Sequence, residues 1–209
     1  FSPGPITYIL NLNQNSRISK IVTNNKNSLA VRFPKHKIFR KLLSNLNYPV
    51  AAPSANISTR LSAVKASDVK EDFGDKIKYI LDGGKCNIGI ESTIIDLRDK
   101  PEILRLGGVE VSKIKKILGK KIKITTNLKK KIAPGHSKLH YSPGIPLRMN
   151  VKKPNKNEAF ILLKKNKNAY LNYFYLSKKN NLKDAAKNLY SLLRKIKNNG
   201  YKSIAVEKI

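Results

Sequence analysis

The sequence has one cysteine and no tryptophan, and it has no long apolar run. A single cysteine excludes an internal disulfide framework and fits the reducing environment of the cytoplasm. No stretch approaches the roughly 18 consecutive apolar residues that a membrane-spanning helix needs, so we expect no membrane association. The first residues, Phe1 to Gly4, lack the basic start and the cleavage site of a signal peptide. These absences favour a globular cytoplasmic protein.

The common signatures of covalent and metal catalysis are also absent. No serine lies in a G-x-S-x-G turn, and no phosphate-binding G-x-x-x-x-G-K-[ST] loop occurs. His136 and His140 are four residues apart, but no carboxylate or cysteine stands near them at ligand spacing. Cys86 follows a turn and has no visible activating partner. We therefore expect neither a side-chain nucleophile nor a metal held by the protein.

Acidic residues are scarce, since 13 Asp and Glu stand against 43 Lys and Arg, for a net charge of +30. Such a charge favours polyanionic partners, among them nucleic acids and the phosphates of ATP, but it selects no particular one. However, only 8 of the basic residues are arginine and 22 residues are asparagine, a usage typical of AT-rich genomes. The charge alone therefore does not decide between a nucleic-acid partner and a bias in base composition.

Strand and helix patterns alternate along the chain, which predicts an α/β fold. We predict strands over residues 7–12, 28–33, 49–53, 77–81, 93–97, 103–106, 159–163, 170–175 and 203–206. Helices are predicted over 35–47, 66–73 and 111–118, and a longer amphipathic helix follows the N-cap Asn181 and ends before Gly200.

Composition divides the chain into three parts. Residues 1–126 hold the first α/β region, residues 127–150 form a Pro/Gly-rich linker or lid, and residues 151–209 begin a second α/β unit. The chain opens on Phe1 rather than Met, and only three residues follow the last predicted strand. We therefore expect a fragment that is cut at both ends.

Small polar residues at strand ends are the first candidates for a binding site. In A-A-P-S-A-N, residues 51–56, an apolar strand leads into Ser54 and Asn56. These side chains could bind the phosphates or sugar of a nucleotide, or they could close a turn on their own backbone. Ser92 stands in a row of polar residues that opens a strand, either as a binding group or as an ordinary cap.

Two arginines within predicted strands are the second set of candidates. Arg32 follows A-V, and Arg105 lies between two leucines. A guanidinium in such a place can grip a carboxylate or a phosphate with two parallel hydrogen bonds, which a lysine does less well. Alternatively, Arg105 could be an ordinary surface residue on an edge strand, with no role in binding.

Several short motifs, met in order along the chain, together resemble the threonylcarbamoyl-AMP synthase family, also called YrdC-like. They are F-S-P-G-P-I-T at 1–7, A-V-R-F-P at 30–34, A-A-P-S-A-N at 51–56, L-D-G-G at 81–84, G-I-E-S-T-I-I-D at 89–96 and L-R-L-G at 104–107. A-P-G at 133–135 and H-Y-S-P at 140–143 resemble the linker of the two-domain members. The resemblance implies a twisted open sheet flanked by helices, then a linker and a partial Rossmann-like α/β domain.

The resemblance also implies a reaction, in which L-threonine, bicarbonate and ATP give threonylcarbamoyl-AMP and pyrophosphate for the threonylcarbamoyladenosine modification of tRNA. It assigns L-threonine to Arg32, Ala52 and Ser92, and ATP with Mg²⁺ to Ser28, Ser54, Asn56, Ser62, Arg105 and Tyr141, the last as a lid. This nucleotidyl transfer needs positioning and charge neutralisation rather than a nucleophilic side chain. We expect Arg32, Ser54 and Ser92 to converge on one hollow.

The sequence departs from the family pattern in two places that bear on the implied activity. The family's K-x-R motif, which contacts the ATP phosphates, is absent from this chain, so we expect weak nucleotide binding or no activity from it alone. The linker reads H-S-K-L at 136–139 in place of M-K-Y-R. Two other functions stay open: a non-catalytic module that binds double-stranded RNA or tRNA, and a carbamoyl-transfer relative, against which the H-Y-S-P linker argues.

Overall fold

The computed structural model describes residues 1–125, 141–165 and 170–208. The chain forms two compact units, Phe1–Pro53 with Glu91–Lys138 and Ser54–Ile90 with Leu139–Ile209. Each unit combines a sheet with helices, so the predicted α/β class is confirmed. Most of the predicted linker, including His136 and His140, lies outside the described residues.

The first unit is built on a mixed sheet of five short strands. They are β1 (Ile6–Asn11), β2 (Ser28–Val31), β3 (Thr93–Asp96), β4 (Glu102–Arg105) and β5 (Lys123–Ile124). Their order is β2-β1-β3-β4-β5, with β1 antiparallel to β2 and parallel to β3. The central strands are rich in β-branched residues, which suit a pleated sheet that is covered on its faces.

In the described residues, five α-helices accompany the two sheets. They are α1 (Lys20–Thr23), α2 (Lys37–Ser44), α3 (Ala66–Phe73), α4 (Val111–Leu118) and α5 (Leu182–Asn198). The predicted bounds of α3 and α4 are confirmed, as is the cap of α5. The side chain of Asn181 accepts hydrogen bonds from the backbone of Lys183 and Asp184, at 2.8 and 3.3 Å. No helix in the described ranges is long and apolar enough to cross a membrane.

The two faces of the first sheet carry different side chains, because successive residues of a strand point to opposite sides. Ile6, Ile95 and Ile103 pack with Ile114 of α4, and we call this side the α4 face. The other side carries Ile9, Ile94 and Leu104, together with Thr7, and we call it the Thr7 face.

A β-bulge in β4 changes the face on which that strand's last side chain lies. Ile95 pairs with Ile103, but Ile94 pairs with Arg105, so Leu104 and Arg105 together oppose one residue. In a regular strand Arg105 would share the α4 face with Ile103. The extra residue instead places Arg105 beside Ile94, on the Thr7 face.

The second unit contains a four-stranded sheet in which all strands are parallel. The strands are β6 (Leu147–Arg148), β7 (Ala159–Lys164), β8 (Tyr173–Ser177) and β9 (Ile204–Val206), in the order β6-β9-β7-β8. Helix α5 connects β8 to β9, as parallel strands require. The predicted strands near 159, 170 and 203 and the Rossmann-like character of this unit are confirmed.

Residues 54–90 share the core of the second unit, which the sequence patterns do not predict. Leu61 and Val64 are both 3% exposed and belong to the same apolar cluster as Ile161 of β7 and Ile196 of α5. The buried carboxylate of Asp68 accepts a hydrogen bond from the Val64 backbone at 2.9 Å, so α3 also holds this segment.

Two predicted strands are wrong. Residues 49–53 and 77–81 form no strand in the structure. An apolar run becomes a strand only where a neighbouring strand supplies backbone hydrogen bonds, and Tyr79, at 89% exposed, and Leu81, at 62%, remain on the surface instead. The patterns also miss α1, β5 and β6, each of four residues or fewer.

Candidate functional site

Three polar side chains of the first unit meet on the Thr7 face. The Ser92 hydroxyl lies 2.7 Å from the Thr7 hydroxyl. Arg105 donates from Nη2 to the Ser92 hydroxyl at 3.1 Å, and from Nη2 and Nε to the Ser92 carbonyl oxygen at 2.9 and 3.1 Å. The bulge makes these bonds possible, and the bonds in turn fix the direction of the guanidinium.

Arg32 lies near the edge of the sheet. Val31, the last residue of β2, pairs with Tyr8 of β1, and Arg32 follows directly beyond the paired residues. The three hydrogen-bonded side chains Thr7, Ser92 and Arg105 form a row across the neighbouring strands β1, β3 and β4, which we call the Thr7 row. Arg32 is exposed to solvent.

Two further predicted residues of the first unit are Ser28 and Ala52. Ser28 pairs with Asn11 at the far end of β2, four residues from Arg32 and thus roughly 13 Å away along the strand. Ala52 lies exposed in an irregular segment.

The loop after Arg105 passes directly over the backbone beside Ser92. A Cβ on Gly107 would lie 2.4 Å from the Glu91 carbonyl oxygen and 2.5 Å from the Ser92 carbonyl carbon, which leaves room only for glycine. The buried Thr93 hydroxyl holds the same loop, because it donates to the Val109 carbonyl at 3.1 Å and accepts from the Val109 amide at 3.0 Å. The glycine of L-R-x-G is therefore needed for packing.

The A-P-S-A-N segment of the second unit forms an irregular loop, residues 54–62, which we call the Ser54 loop. The Asn56 amide donates to the carbonyl oxygens of Ile57 and Arg60, both at 2.9 Å. Its buried Oδ1 has no hydrogen-bond partner in the described part of the chain. Ala55 and Thr59 adopt positive φ angles of 52° and 72°, a strained conformation that is found often at functional sites.

The remaining predicted ATP residues lie on or beside the Ser54 loop. Ser54 is exposed and Ser62 is buried. Tyr141 stacks on Tyr190 of α5, with ring centroids 5.8 Å apart, and packs against the core of the second unit. The next residue, Ser142, donates its backbone N–H to the Thr59 carbonyl at 2.9 Å. The lid role of Tyr141 stays a prediction.

The structure thus brings together two of the predicted residues, Ser92 and Arg105, and adds Thr7, while Arg32 lies just beyond the end of β2. The sequence did hold a signal for Thr7, since this residue ends the F-S-P-G-P-I-T motif. Ser54, Asn56, Ser62 and Tyr141 belong to the second unit. The predicted convergence of Ser54 with Arg32 and Ser92 stays a prediction.

A cavity of about 550 Å³ lies elsewhere in the first unit. Its lining is mostly apolar and includes Tyr8, Phe33, Leu43 and Arg40. None of the nine predicted binding residues lines it. Tyr8 alternates with Thr7 along β1, so it faces away from the Thr7 row.

A buried ion pair ties the Ser54 loop to two helices of its own unit. Arg194 of α5 donates to both carboxylate oxygens of Asp72, at 3.1 and 2.7 Å, and to the Leu61 carbonyl at 2.8 Å. Asp72, on α3, also accepts a hydrogen bond from the Ile57 backbone. The hydrogen bond from Arg194 is the main reason that the pKa of Asp72 lies below its ordinary value of 3.8.

We expect acid to destabilise the second unit through Asp72. Because its pKa is lower in the folded state, the ionised carboxylate stabilises the fold above pH 3.8, and this contribution is lost as the pH falls further. The urea midpoint of Asp72→Asn should therefore change less than that of the wild type between about pH 5 and pH 3. Asp75→Asn, at an exposed position, is the control. Equal pH sensitivity in wild type and Asp72→Asn would contradict this prediction.

Comparison with known families matches both parts of the chain. The family model Sua5_yciO_yrdC, described as "Telomere recombination", matches residues 1–107. The model Sua5_C, described as "Threonylcarbamoyl-AMP synthase, C-terminal domain", matches residues 109–209.

Individual relatives agree with these matches. The threonylcarbamoyl-AMP synthase of Pyrococcus abyssi is 41% identical over 149 residues, which cover 68% of this chain and 43% of the relative. That of Bacillus subtilis is 37% identical over 152 residues, 70% of this chain and 43% of the relative. The crystal structure of P. abyssi Sua5 complexed with L-threonine superposes with a TM-score of 0.85 at 32% identity, covering 100% of this chain and 66% of that one.

The fold and the Thr7 row define an α/β protein with a polar cluster on one face of its first sheet and a C-terminal Rossmann-like part. The chain belongs to the Sua5/YciO/YrdC family, and its C-terminal part matches the corresponding domain of threonylcarbamoyl-AMP synthases. It spans 43% of the length of each of the two curated relatives named above.

Proposed function

We propose that this chain is a part of an L-threonylcarbamoyladenylate synthase, a nucleotidyltransferase that serves tRNA threonylcarbamoyladenosine modification. The observation that carries the proposal is the Thr7 row, in which the Arg105 guanidinium is held beside the Ser92 and Thr7 hydroxyls. The names of the relatives and the threonine complex of P. abyssi Sua5 support it.

The chemistry requires that threonine be held by its carboxylate. Its amine then stays free to take up carbon dioxide from bicarbonate and form a carbamate. In our proposal Arg32 binds the carboxylate, while the Ser92 hydroxyl and the Ala52 backbone hold the rest of the amino acid. A guanidinium suits the carboxylate because it offers two parallel donors.

The second step transfers the nucleotide. The carbamate oxygen attacks the α-phosphorus of ATP, and the bond to pyrophosphate breaks. Arg105 would face the phosphates with a guanidinium that its bonds to Ser92 already hold in one direction. Fixed cations of this kind stabilise the charge that develops in the transition state. On the resemblance, Ser28, Ser54, Asn56, Ser62 and Tyr141 would also contact ATP.

We propose Mg-ATP as the bound form of the nucleotide. Mg²⁺ is commonly carried by substrate phosphates and water, with one or two carboxylates at most, so the cation would arrive with the nucleotide.

Arg32→Met should weaken L-threonine binding by about tenfold to a hundredfold, because it removes charge-assisted hydrogen bonds to the carboxylate. Isothermal titration of the chain with L-threonine measures this effect. Arg40→Met, which removes a cation from α2 outside the Thr7 row, should leave the affinity unchanged. An Arg32→Met variant with wild-type affinity would remove Arg32 from the threonine site.

Thermal shift tests the proposed function as a whole. ATP and L-threonine together should raise the melting temperature by more than the sum of their separate effects, since both ligands occupy one reaction site. A chain that responds to neither ligand, yet retains tRNA on filters across a salt series, would instead be the RNA-binding module considered above.

A further inference from the structure

Arg194 connects three separate segments of the second unit. It lies on α5 and is 9% exposed, and its guanidinium reaches Asp72 on α3 and the Leu61 carbonyl at the end of the Ser54 loop. Its Nε is buried without a hydrogen-bond partner among the described residues. The guanidinium therefore bonds to Asp72 and Leu61, while its own Nε donor stays without a hydrogen bond among the described residues.

Stability alone does not account for such a pair. Taking two charges out of water carries a desolvation penalty that can match their attraction, and apolar side chains of similar size often stabilise a core equally well. An arginine adds a planar fork of donors, which fixes the relative positions of its acceptors. Here one of the acceptors is the Leu61 carbonyl, in the backbone of the Ser54 loop.

The Ser54 loop is also held by the buried side chain of Leu61 and by the hydrogen bond from the Ser142 amide to the Thr59 carbonyl. It contains no helix or strand, and two of its residues, Ala55 and Thr59, hold strained positive φ angles that the surroundings must enforce. Asp72 reaches the loop at Ile57, and Arg194 reaches it at Leu61. The ion pair thus fastens two points of the loop that carries Ser54 and Asn56.

We infer that Arg194 and Asp72 are positioning residues that hold the Ser54 loop in the conformation that binds ATP. This inference rests on the proposed function, and it makes nucleotide affinity depend on a side chain of the C-terminal domain. Arg194 acts through the loop backbone and does not itself contact the nucleotide.

The experiment compares Arg194→Lys and Asp72→Asn with a matched control, Arg148→Lys. Arg148 forms a similar two-pronged pair with Glu158 in the same unit, at 3.1 and 2.6 Å, away from the Ser54 loop. Three quantities are measured on the 209-residue chain: amide hydrogen exchange over 55–62, affinity for Mg-ATP and affinity for L-threonine. We expect faster exchange in the loop and about tenfold weaker Mg-ATP binding in the first two variants, with threonine affinity kept. The control should change none of the three.

Two results would overturn the inference. One is unchanged loop exchange and Mg-ATP affinity in both variants. The other is an equal loss of Mg-ATP and threonine binding with a lower melting temperature, which would show a general structural role. Failure of the proposed function looks different, because the wild-type chain would then bind neither ligand, and the inference would fall with it.

Discussion

Replacement of Arg105 by methionine should weaken Mg-ATP binding by about two orders of magnitude. The substitution removes the cation that we place at the phosphates, and it leaves the Ser92 carbonyl without its two donors from Arg105. A charge-assisted hydrogen bond contributes about 1.5–3 kcal/mol. A loss of about 3 kcal/mol at the phosphates corresponds to a factor of roughly 150 in affinity.

Equilibrium dialysis with labelled ATP measures this loss. Arg105→Lys keeps the charge but cannot reach both Ser92 acceptors with a planar fork, so we expect an intermediate affinity. Arg98→Met is the matched control, because Arg98 pairs with Asp96 in the same unit at 2.6 Å and has no place in the Thr7 row. If Arg105→Met binds ATP as the wild type does, Arg105 has no role at the phosphates.

Gly107→Ala should destabilise the first unit by about 3 kcal/mol, or roughly 6–12 °C in melting temperature. The new methyl group would overlap the Glu91 carbonyl oxygen and the Ser92 backbone, and backbone cannot move aside as a flexible side chain can. Relief of the clash would displace the strand-end residues that carry Ser92, so threonine binding should weaken as well. Calorimetry and threonine titration check the two effects.

Gly84→Ala provides the comparison. Gly84 has a φ of +77°, but a Cβ there meets no atom within 4 Å. Only the backbone conformation is unfavourable, at a cost of about 1–2 kcal/mol. A larger loss at Gly84 than at Gly107 would mean that the close approach over Ser92 relaxes easily, against our interpretation of the L-R-x-G motif.

The sequence predicted most elements of the fold where local signals and tertiary packing agree. Helix α5 is an example, because it has an amphipathic pattern along its length, an Asn cap at its start and a glycine just after its end. Residues 77–81 show the opposite case, since their apolar pattern is typical of a strand but no neighbouring strand pairs with them. The fold of the whole chain decides which strands pair, and a local pattern of apolar residues does not carry that information.

The sequence predicted part of the site for a similar reason. Arg32, Ser92 and Arg105 stand in recognisable motifs, and the structure joins Ser92 and Arg105 by hydrogen bonds. The bulge that turns Arg105 onto the Thr7 face is invisible in the letters L-R-L-G, because it depends on the register with β3. Arg194 carries no motif either, and its role depends on contacts with residues more than 120 positions away.

The shared core of residues 54–90 and the C-terminal part limits how this protein can be shortened. A chain that stops before the linker would expose Leu61 and Val64 to water and would leave the Asp72 carboxylate without its counter-ion. Such a truncation product would tend to aggregate during expression, even though it retains every residue of the Thr7 row. The proposed binding of L-threonine and of Mg-ATP should therefore be studied separately with point substitutions in the intact chain.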